Sequence, residues 1–522
     1  MAETHTGDSV DPEQHAADVA TALNVLTDSA LEPIVEMVLV ARDDAYEAHA
    51  VDGSVRFSRS VTDGDGSDWE FTVTEVTGRD PLADQALDRF APLSEELANL
   101  HPDRTRNAYP FAFEQVAQLF DHPAAPDLCV IHTSAHHWAE LGGHIGEHGS
   151  LASVQCRAPF IVAGRGARRL GMTDTAAQMV DIAPTALALL GIEPAGGTGL
   201  DGRHRDDAHL LAQDGDALTD LLDPGERPDH LVAFLLDGCN PNVLYEMAAT
   251  GEAPNIARLM AEGSTLRNGI VSSLPTVTLP NHTTAITGRH PGHHGILHNA
   301  WWDRGRGDRV VTNSPLTWAT AMDDLTPGTD SIHRAIARAD AGAFTASINE
   351  PADHGAAYST FDLMRRGVRM DFPRSAEGLP HTSEMFVRPV KDYATFTQVD
   401  HHGTEQAVGL IDGRYLDTDY PLPRFLWMNY TLTDSAFHEG GPHSEIARAS
   451  VRDTDGRIGE VLAALDRRGV LERCAFMICA DHGMEESRPG VGGDWSPALH
   501  DAGLDVRDEA FGFLYLNTGA TP

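Results

Sequence analysis

Short apolar runs that end abruptly in acidic or histidine residues are the main pattern of this chain. Four runs follow it: Leu231–Leu236 before Asp237, Phe425–Tyr430 before Asp434, Ala475–Ala480 before Asp481, and Leu128–Ile131 before His132. Continuous apolar runs of this length are typical of buried parallel strands. The pattern therefore predicts several parallel strands with polar, metal-competent residues at their carboxyl ends.

A segment between these runs shows helical periodicity. From Ser444 to Arg468 the apolar residues recur on one stripe: Ile446, Val451, Ile458, Val461, Leu462 and Leu465. Strands that alternate with helices predict an α/β fold with a mostly parallel central sheet and helices on both faces. Such sheets bind ligands at the carboxyl ends of their strands, which is where the acids and histidines fall.

Two departures from this alternation suggest how the chain is divided. Residues 202–229 are rich in Asp and Gly and carry Pro224 and Pro228, so we expect an exposed connection between 1–201 and 230–522. From about 303 to 420 strand signals are weak and turn residues frequent. We expect an inserted cap or substrate lobe there.

Charge narrows the range of substrates. With 78 acidic and 38 basic residues among 522, the net charge is −40. A surface of that sign repels nucleic acid backbones and anionic membranes, so a small-molecule or metal-bound substrate is expected. A salt-adapted proteome and a high-GC genome both explain this composition. Oligomeric state is not readable from it.

The cysteines and the N-terminus bear on the cellular compartment. The five cysteines are odd in number and form no CxxC pair, and most lie in apolar runs, which favours buried free thiols. The first residues lack the basic and apolar regions of a signal peptide, and no run approaches the ~20 apolar residues of a membrane span. We therefore expect a cytoplasmic protein.

The segment from Pro275 to Gly288 carries a candidate nucleophile. Pro280 suits a first helical turn and Gly288 a C-terminal cap, which places Thr278 just ahead of a short helix. Backbone N–H groups at a helix start favour an anionic phosphoryl group. A hydroxyl becomes a nucleophile there only when a metal or a base lowers its pKa. Taken alone, the segment is more typical of a capping threonine than of a nucleophile.

Candidate metal ligands surround this segment in the predicted fold. Asp434 and His438 are spaced i, i+4, so they share a face if that stretch is helical. Asp481 and His482 follow one strand directly, and Asp237 ends another. Carboxylate and imidazole donors suit zinc, and manganese or iron also fit. Each residue alone could cap a helix, but together at strand ends they predict a metal site.

These residues stand in motifs that resemble the alkaline phosphatase superfamily, and most closely its nucleotide pyrophosphatase/phosphodiesterase family. The motifs are Leu-Leu-Asp-Gly at 235–238, Thr-Leu-Pro-Asn-His at 278–282, Asp-Ser-Ala-Phe-His at 434–438 and Ala-Asp-His-Gly-Met at 480–484. The resemblance implies that Asp237, Thr278, Asp481 and His482 surround one metal. Asp434 and His438 would hold a second. It also implies that Asn281 hydrogen-bonds a phosphoryl oxygen, and that an aromatic residue of His298–Asp303 helps to hold the leaving group.

One histidine expected by the resemblance is absent from its usual place. The family carries a late His-Gly motif that completes the Asp434/His438 metal, and no His-Gly follows His482 here. The first part of the chain contains His148-Gly, followed by a Pro-hydrophobic strand at 159–164 and a helix ending near Gly191. We therefore predict a circular permutation, with 1–201 as the late portion of the fold and His148 as the ligand. His144, His136 and His137 are its competitors, and a separate, degenerate N-terminal domain is the alternative.

The resemblance further implies two-metal hydrolysis of a phosphodiester or pyrophosphate through a phosphothreonine intermediate. Phosphonate C–P cleavage is also compatible with Thr278, whereas a phosphomutase normally carries serine there. Phosphomonoester hydrolysis needs further cationic groups, for which Arg289 is the nearest candidate in sequence. A metal-binding protein without catalysis is the alternative of a different class.

Overall fold

The central sheet of the molecule has eight strands and mixed direction. The computed structural model describes residues 11–61, 68–88, 92–138, 144–368 and 391–517. The strands lie in the order Tyr358–Ser359, Thr345–Ile348, Phe425–Tyr430, His230–Leu236, Cys474–Cys479, Phe160–Gly164, Gly263–Leu266 and Gly171–Thr173. Helices cover it on both sides, as the alternation of apolar runs and helical stripes predicts.

The middle of this sheet is parallel and buried. His230–Leu236 pairs in parallel with Phe425–Tyr430 on one side and with Cys474–Cys479 on the other. Nearly every residue of the three strands is buried, which explains why their sequences are continuously apolar. Because parallel strands end at the same edge, the residues that follow them meet there. This confirms the predicted fold class.

A strand from the first part of the chain lies inside the same sheet. Phe160–Gly164 runs antiparallel between Cys474–Cys479 and Gly263–Leu266. Ile161 and Val162 are almost fully buried there, opposite residues of the second part. Residues 158–190 of the first part therefore lie in the same hydrophobic cluster as the parallel strands of the second part.

A second sheet has seven strands, all antiparallel to their neighbours. Their order is Val506–Glu509, Phe513–Leu516, Leu128–His132, Val35–Arg42, Ala45–Ala50, Gly53–Val61 and Trp69–Gly78. The prediction that Leu128–Ile131 forms a parallel strand is therefore wrong in direction. The run is apolar because Leu128 and Val130 face one core cluster while Cys129 and Ile131 face another. Burial on both faces produces the same sequence in either direction.

The α-helices of the described residues are mostly short. Their bounds are Pro12–Leu26, Leu93–Glu96, Ala112–Leu119, Ser153–Cys156, Ile182–Leu189, Pro241–Thr250, Pro254–Ala261, Thr278–Thr287, Pro291–His294, Ile332–Ala339, Thr360–Arg365, Lys391–Asp412, Leu432–Gly440, Glu445–Arg467 and Ser496–Asp501. The helix predicted from Ser444 to Arg468 is observed as Glu445–Arg467, and the Ser444 side chain caps it by accepting from the Ala447 N–H.

The segment predicted as an exposed connection is partly buried. Within 202–229, Leu210 and Gln213 are almost fully buried. The Gln213 amide donates to the Gly215 carbonyl and accepts from the His209 N–H. The composition of the segment does not reveal this burial. Its Asp and Gly residues form turns that hold a few apolar side chains against the core.

The predicted insertion at 303–420 contains strands of the central sheet. Thr345–Ile348 pairs in parallel with Phe425–Tyr430, and Tyr358–Ser359 pairs with Thr345–Ile348. These strands are four and two residues long, too short for a clear periodic signal in sequence. Residues 369–390 of this predicted lobe lie outside the described part of the chain.

The cysteines and the apolar character of the helices bear on two expectations from the sequence. All five cysteines are buried and free, which confirms the prediction of buried thiols. Among the described residues, no helix combines the length and apolar character needed to cross a bilayer.

A buried ion-pair network at the helix Pro291–His294 should make stability depend on pH. The His293 imidazole lies 2.6 Å from an Asp214 carboxylate oxygen and 2.9 Å from one of Asp121. Burial alone lowers the pKa of His293, but Asp214 and Asp121 outweigh it and raise the pKa to about 9. The protonated ring therefore stabilises the fold fully below its unfolded pKa of about 6.5, and this stabilisation disappears as pH rises through about 9.

We expect His293→Gln to lower the free energy of unfolding by about 2–3 kcal/mol near pH 6. The deficit should shrink above pH 9, where the wild-type ring is neutral. Urea unfolding at pH 6 and pH 10 measures both values. The exposed pair His204–Asp206 offers a matched control, because His204→Gln should change neither. A deficit of the same size at both pH values would contradict the ionic explanation.

Candidate active site

Thr278 is the first residue of its helix, at the edge where the parallel strands end. The helix Thr278–Thr287 carries Pro280 in its first turn and ends at Gly288, whose φ of 64° is the left-handed conformation expected of a C-terminal glycine. The Thr278 side chain is partly exposed and lines a cavity together with Asp237. The predicted position of the candidate nucleophile is therefore what the structure shows.

Asn281 has a structural role, and not the contact with a phosphoryl oxygen that the resemblance implies. Its side chain is fully buried, and its carbonyl oxygen accepts from the Ser273 N–H at 2.7 Å. Its amide group donates to the carbonyls of Ser273, Pro275 and Val277. Every polar atom of the Asn281 side chain therefore hydrogen-bonds to the backbone. The expected contact between Asn281 and a phosphoryl oxygen is wrong. Asn281 instead holds the loop that positions Thr278.

Asp237, Asp481 and His482 form one group of donor atoms. His482 Nε2 lies 3.1 Å from Asp481 Oδ2 and 3.9 Å from Asp237 Oδ1. The other carboxylate oxygen of Asp481 accepts from the Gly238 N–H at 3.0 Å. All three side chains are buried and follow strands directly, as the sequence pattern predicts.

Asp434, His438 and His148 form a second group. The helix Leu432–Gly440 places His438 Nε2 3.4 Å from Asp434 Oδ1. His148 Nε2 lies 4.0 Å from the same oxygen, although it comes from the other end of the sequence. His148 also stacks on His482, with ring centroids 3.7 Å apart. The structure thus brings together six of the seven residues proposed from sequence as metal ligands, and the seventh, Thr278, lines a cavity with Asp237.

The imidazoles of these two groups share one orientation. His148, His438 and His482 each direct Nδ1 at a backbone carbonyl, of Thr276, Gly146 and Gly483 respectively. A carbonyl can only accept, so each Nδ1 carries a proton, and in the neutral ring Nε2 is the nitrogen available to a metal. Hydrogen bonds of this kind are how proteins orient metal-ligating histidines.

Electrostatics and hydrogen bonding both fit a bound cation. Burial, followed by the Asp481 and Asp434 carboxylates, raises the pKa of Asp237 well above its usual value. Asp237 Oδ1, Asp434 Oδ1, Asp481 Oδ2 and His482 Nε2 are buried without a hydrogen-bond partner. Donors bound to zinc at about 2.0–2.1 Å lie about 3.3 Å apart in a tetrahedron, close to the separations found here. The residues present therefore fit divalent metal ions.

The competing histidines make other contacts. His136 Nε2 contacts the Gly493 carbonyl at 3.0 Å, and its ring lies 3.9 Å from that of Trp138. His137 Nδ1 contacts Ser487 Oγ at 2.9 Å. His144 lies beside His438, with ring centroids 4.7 Å apart, and 3.9 Å from Glu147 Oε1. Of the four histidines, His148 is the one grouped with both Asp434 and His438.

Two residues of the site were missed in the sequence. Asn299 Oδ1 accepts from the Leu279 N–H at 3.1 Å, which brings its amide group beside Thr278. His282 is buried with Nε2 3.4 Å from Asp481 Oδ2. Its position four residues after Thr278 is a signal that could have found it, because i and i+4 share a helix face.

Two cavities lie at the site and share Asn313 in their walls. One, of about 130 Å³, is lined by Thr278, Asp237 and largely apolar residues such as Trp318, Phe361 and Phe396. The other, of about 410 Å³, is lined by His148, His438, Asn299 and aromatic residues: Trp138, Phe511 and Phe513. Asp237 of one metal group therefore lines the smaller cavity, and His148 and His438 of the other group line the larger one.

The two tryptophans of His298–Asp303 do not line these cavities. Trp301 is buried in the core, and the Arg507 guanidinium lies 3.9 Å from the centroid of the Trp302 ring. The His298 ring of the same segment does line the larger cavity, together with Trp138, Phe511 and Phe513. The segment therefore contributes an imidazole to that cavity and no indole.

Comparisons with known proteins place the chain in a family. Residues 231–520 match the family model of the type I phosphodiesterases/nucleotide pyrophosphatases. This match covers more than half of the chain, so the chain belongs to that family, and the family resemblance predicted from sequence is confirmed.

Individual relatives are distant in sequence and align with about half of this chain. An uncharacterised pyrophosphatase/phosphodiesterase of Schizosaccharomyces pombe is 25% identical over 260 residues, 49% of this chain and 44% of that protein. Ectonucleotide pyrophosphatase/phosphodiesterase family member 7 of Rattus norvegicus is 23% identical over 233 residues, 45% of this chain and 46% of that protein. The solved structure of murine ectonucleotide pyrophosphatase/phosphodiesterase 5 matches with a TM-score of 0.34 at 17% identity, over 49% of this chain and 57% of that one. The chain spans less than half the length of the two curated relatives.

Proposed function

We propose that this protein hydrolyses phosphodiester or pyrophosphate bonds of small molecules, with Thr278 as nucleophile. The observation that supports it best is that Thr278 and Asp237 line one cavity, beside two groups of carboxylate and imidazole donors. Family membership supports the same reaction class.

Thr278 would carry the phosphoryl group between two displacements. In the first, the Thr278 hydroxyl loses its proton, the Oγ–P bond forms and the bond from phosphorus to the leaving oxygen breaks. In the second, water attacks phosphorus, the Oγ–P bond breaks and the hydroxyl is restored. Two divalent ions held by the seven ligands would supply the positive charge that lowers the pKa of the hydroxyl and balances the phosphoryl oxygens.

Asn299 and the cavities would orient the substrate. The Asn299 amide group lies beside Thr278 and can donate to a phosphoryl oxygen, a contact that strengthens as charge develops there. Attacking and departing oxygens stand on opposite sides of phosphorus. The departing group would therefore enter the larger cavity beside His148 and His438, and the retained group the smaller, apolar one.

The described cavity walls favour a diester over a monoester. Arg289 is directed at Asp214, with Nε 4.0 Å from Oδ1, and lines a different cavity. Among the described residues that line the two cavities, the one Arg or Lys is Arg309, in the larger cavity, and Glu509 neutralises it. A monoester dianion would find no additional free cation in these walls. Phosphonate cleavage remains the second candidate, because it uses the same nucleophile and ligands.

Turnover of bis-p-nitrophenyl phosphate, p-nitrophenyl phosphate and a phosphonate separates these reactions. We expect metal-dependent hydrolysis of the diester to exceed that of the monoester. Faster monoester or phosphonate turnover would replace the proposed substrate class. A lack of turnover of all three, with metals bound, would favour the non-catalytic alternative.

Removing one carboxylate charge should weaken metal binding and activity together. Asp481→Asn and Asp237→Asn preserve shape but leave their metal group with one anion fewer, so we expect both metal content and turnover to fall at least about tenfold in chelator-buffered medium. Elemental analysis alongside kinetics measures this. Asp206→Asn, an exposed carboxylate remote from the site, is the control. Full metal content and full rate in the site variants would refute the two-metal proposal.

We also infer that the chain is a circular permutation of its family's fold. The position of Phe160–Gly164 inside the central sheet and of His148 beside Asp434 supports this inference. Zinc as the metal and a cytoplasmic location are likewise proposals, supported by the donor types and by the five buried, free cysteines.

A further inference from the structure

A short two-stranded sheet connects residues of both metal groups. Gly146–Glu147 pairs with Glu485–Glu486 in antiparallel direction. His148 directly follows the first strand, and His482 precedes the second by three residues. His438 Nδ1 donates to the carbonyl of the first strand's glycine at 2.7 Å. Three of the proposed ligands, all imidazoles, are therefore attached to this sheet.

The Glu485 side chain links the sheet to the helix Leu432–Gly440, which carries Asp434. Glu485 is fully buried, and its Oε1 and Oε2 lie 3.2 Å and 3.4 Å from His443 Nε2. His443 lies three residues beyond the helix. A second buried carboxylate, that of Glu96, has Oε1 3.3 Å from the same nitrogen. One imidazole thus lies between carboxylates from opposite parts of the chain.

Glu96 extends these contacts to the segment that follows Asp237. Asn240 Nδ2 donates to Glu96 Oε1 at 2.8 Å, and the Asn242 amide donates to Glu96 Oε2. Asn240 Nδ2 also lies 3.1 Å from the Met484 carbonyl oxygen, to which it donates. The segments that follow all three central parallel strands therefore meet at one imidazole.

Hydrogen bonding accounts for this cluster, in contrast to the two metal groups. Both oxygens of Glu96 accept from asparagine amides, and Glu485 Oε1 accepts from the Glu486 N–H at 2.7 Å. Within the described part of the chain, none of these oxygens is a buried atom without a hydrogen-bond partner. Burial alone lowers the pKa of His443, but Glu485 and Glu96 outweigh it and raise the pKa to about 10. The ring is therefore a cation at neutral pH and attracts both carboxylates.

We propose that His443 is a positioning residue, which holds the carboxylates of Glu485 and Glu96 and thereby orients the two histidines of the second metal group. The inference rests on the proposed two-metal function. Without the cation, the short sheet loses its ionic link to the helix of that group, so its backbone can shift relative to the helix. The other group should change less, because its Asp481 carboxylate accepts from the Gly238 N–H, outside the sheet.

Zinc affinity of the intact chain tests this without reference to turnover. Wild type, His443→Gln, His443→Lys, Glu485→Gln and His148→Ala are equilibrated in zinc buffered by a competing chelator, and bound zinc is counted. We expect His443→Gln and Glu485→Gln to weaken one of the two zinc ions by about 10–100-fold. His443→Lys keeps a positive charge and should recover part of that loss. In the His148→Ala background, adding His443→Gln should leave the affinity of the remaining zinc unchanged.

His293→Gln is the matched control, because His293 is also an imidazolium held by two carboxylates, but in the helix Pro291–His294. It should lower the free energy of unfolding and leave both zinc affinities unchanged. Wild-type affinities in His443→Gln, even with a lower melting temperature, would overturn the proposal and make its ion pairs purely structural.

Two other results would also overturn the proposal. One is weaker binding of the remaining zinc when His443→Gln is added to His148→Ala. The other is a third zinc in wild type that His443→Gln loses, which would make the imidazole a ligand. Fewer than two zinc ions bound to wild type would refute the two-metal function itself. If His443→Gln does not fold, Glu485→Gln decides by the same criteria.

Discussion

Replacing Thr278 by alanine should abolish turnover while leaving both metals bound. The hydroxyl forms the covalent bond to phosphorus, so its loss should lower kcat by roughly 10⁴-fold or more. Metal content should change little, because buried carboxylates and imidazoles supply the remaining donors. Kinetics with a diester substrate and elemental analysis of the same sample give both values.

Two variants make this result specific to the nucleophile. Thr278→Ser keeps a hydroxyl and should retain measurable turnover. Thr283→Ala removes a buried hydroxyl of the same helix that donates to the Leu279 carbonyl, and should retain most activity. Wild-type turnover in Thr278→Ala would show that the nucleophile is another group. Loss of both metals with the fold preserved would make Thr278 a structural residue.

Replacing His148 by alanine should deplete one metal of the two. His148 is the single residue of its group that comes from the first part of the chain, and Asp434 and His438 alone leave two protein donors. Structural and hydrolytic zinc sites normally need three or four. We expect about half the zinc content of wild type and at least about a 100-fold loss of turnover, measured on the same preparation.

A fragment that begins near residue 228 should fail to fold, which is a larger defect than the metal loss expected for His148→Ala. It lacks Phe160–Gly164, so Cys474–Cys479 and Gly263–Leu266 would each lose a neighbour in the central sheet. Circular dichroism and unfolding should show no cooperative transition. His144→Ala is the matched control for the point variant, because His144 is a neighbouring but half-exposed histidine. A folded 228–522 fragment with two bound metals would overturn both the ligand assignment and the permutation.

The sequence predicts the site best where a metal-binding residue follows a buried strand. Asp237, Asp434 and Asp481 follow fully buried strands, so the apolar runs locate them without knowledge of the fold. Asn281 was misassigned because a motif identifies a residue but not the direction of its side chain. Its amide faces the preceding loop. His282 and Asn299 were missed because their roles depend on which helix face and which loop approach Thr278.

The errors in the fold have a common physical origin. An apolar run reports burial on both faces of a strand and contains no information on the direction of its neighbours. That is why Leu128–His132 was expected to be parallel. The strands Thr345–Ile348 and Tyr358–Ser359 are too short to show periodicity and were absorbed into a predicted insertion. The average polarity of segment 202–229 predicts an exposed connection, and a few buried residues such as Leu210 hardly change that average.

The pairing of strands from opposite ends of the chain bears on how the protein folds during synthesis. Cys129 faces Phe513 in the second sheet, and Ile161 faces Ile478 in the central one. Neither sheet can be completed until the ribosome has released almost the whole chain, and contacts this distant in sequence form slowly. The emerging first part would expose apolar strands such as Leu128–His132 while it waits for its partners. A chaperone that shields such segments should therefore raise the yield of soluble protein, and a slower rate of translation alone should not.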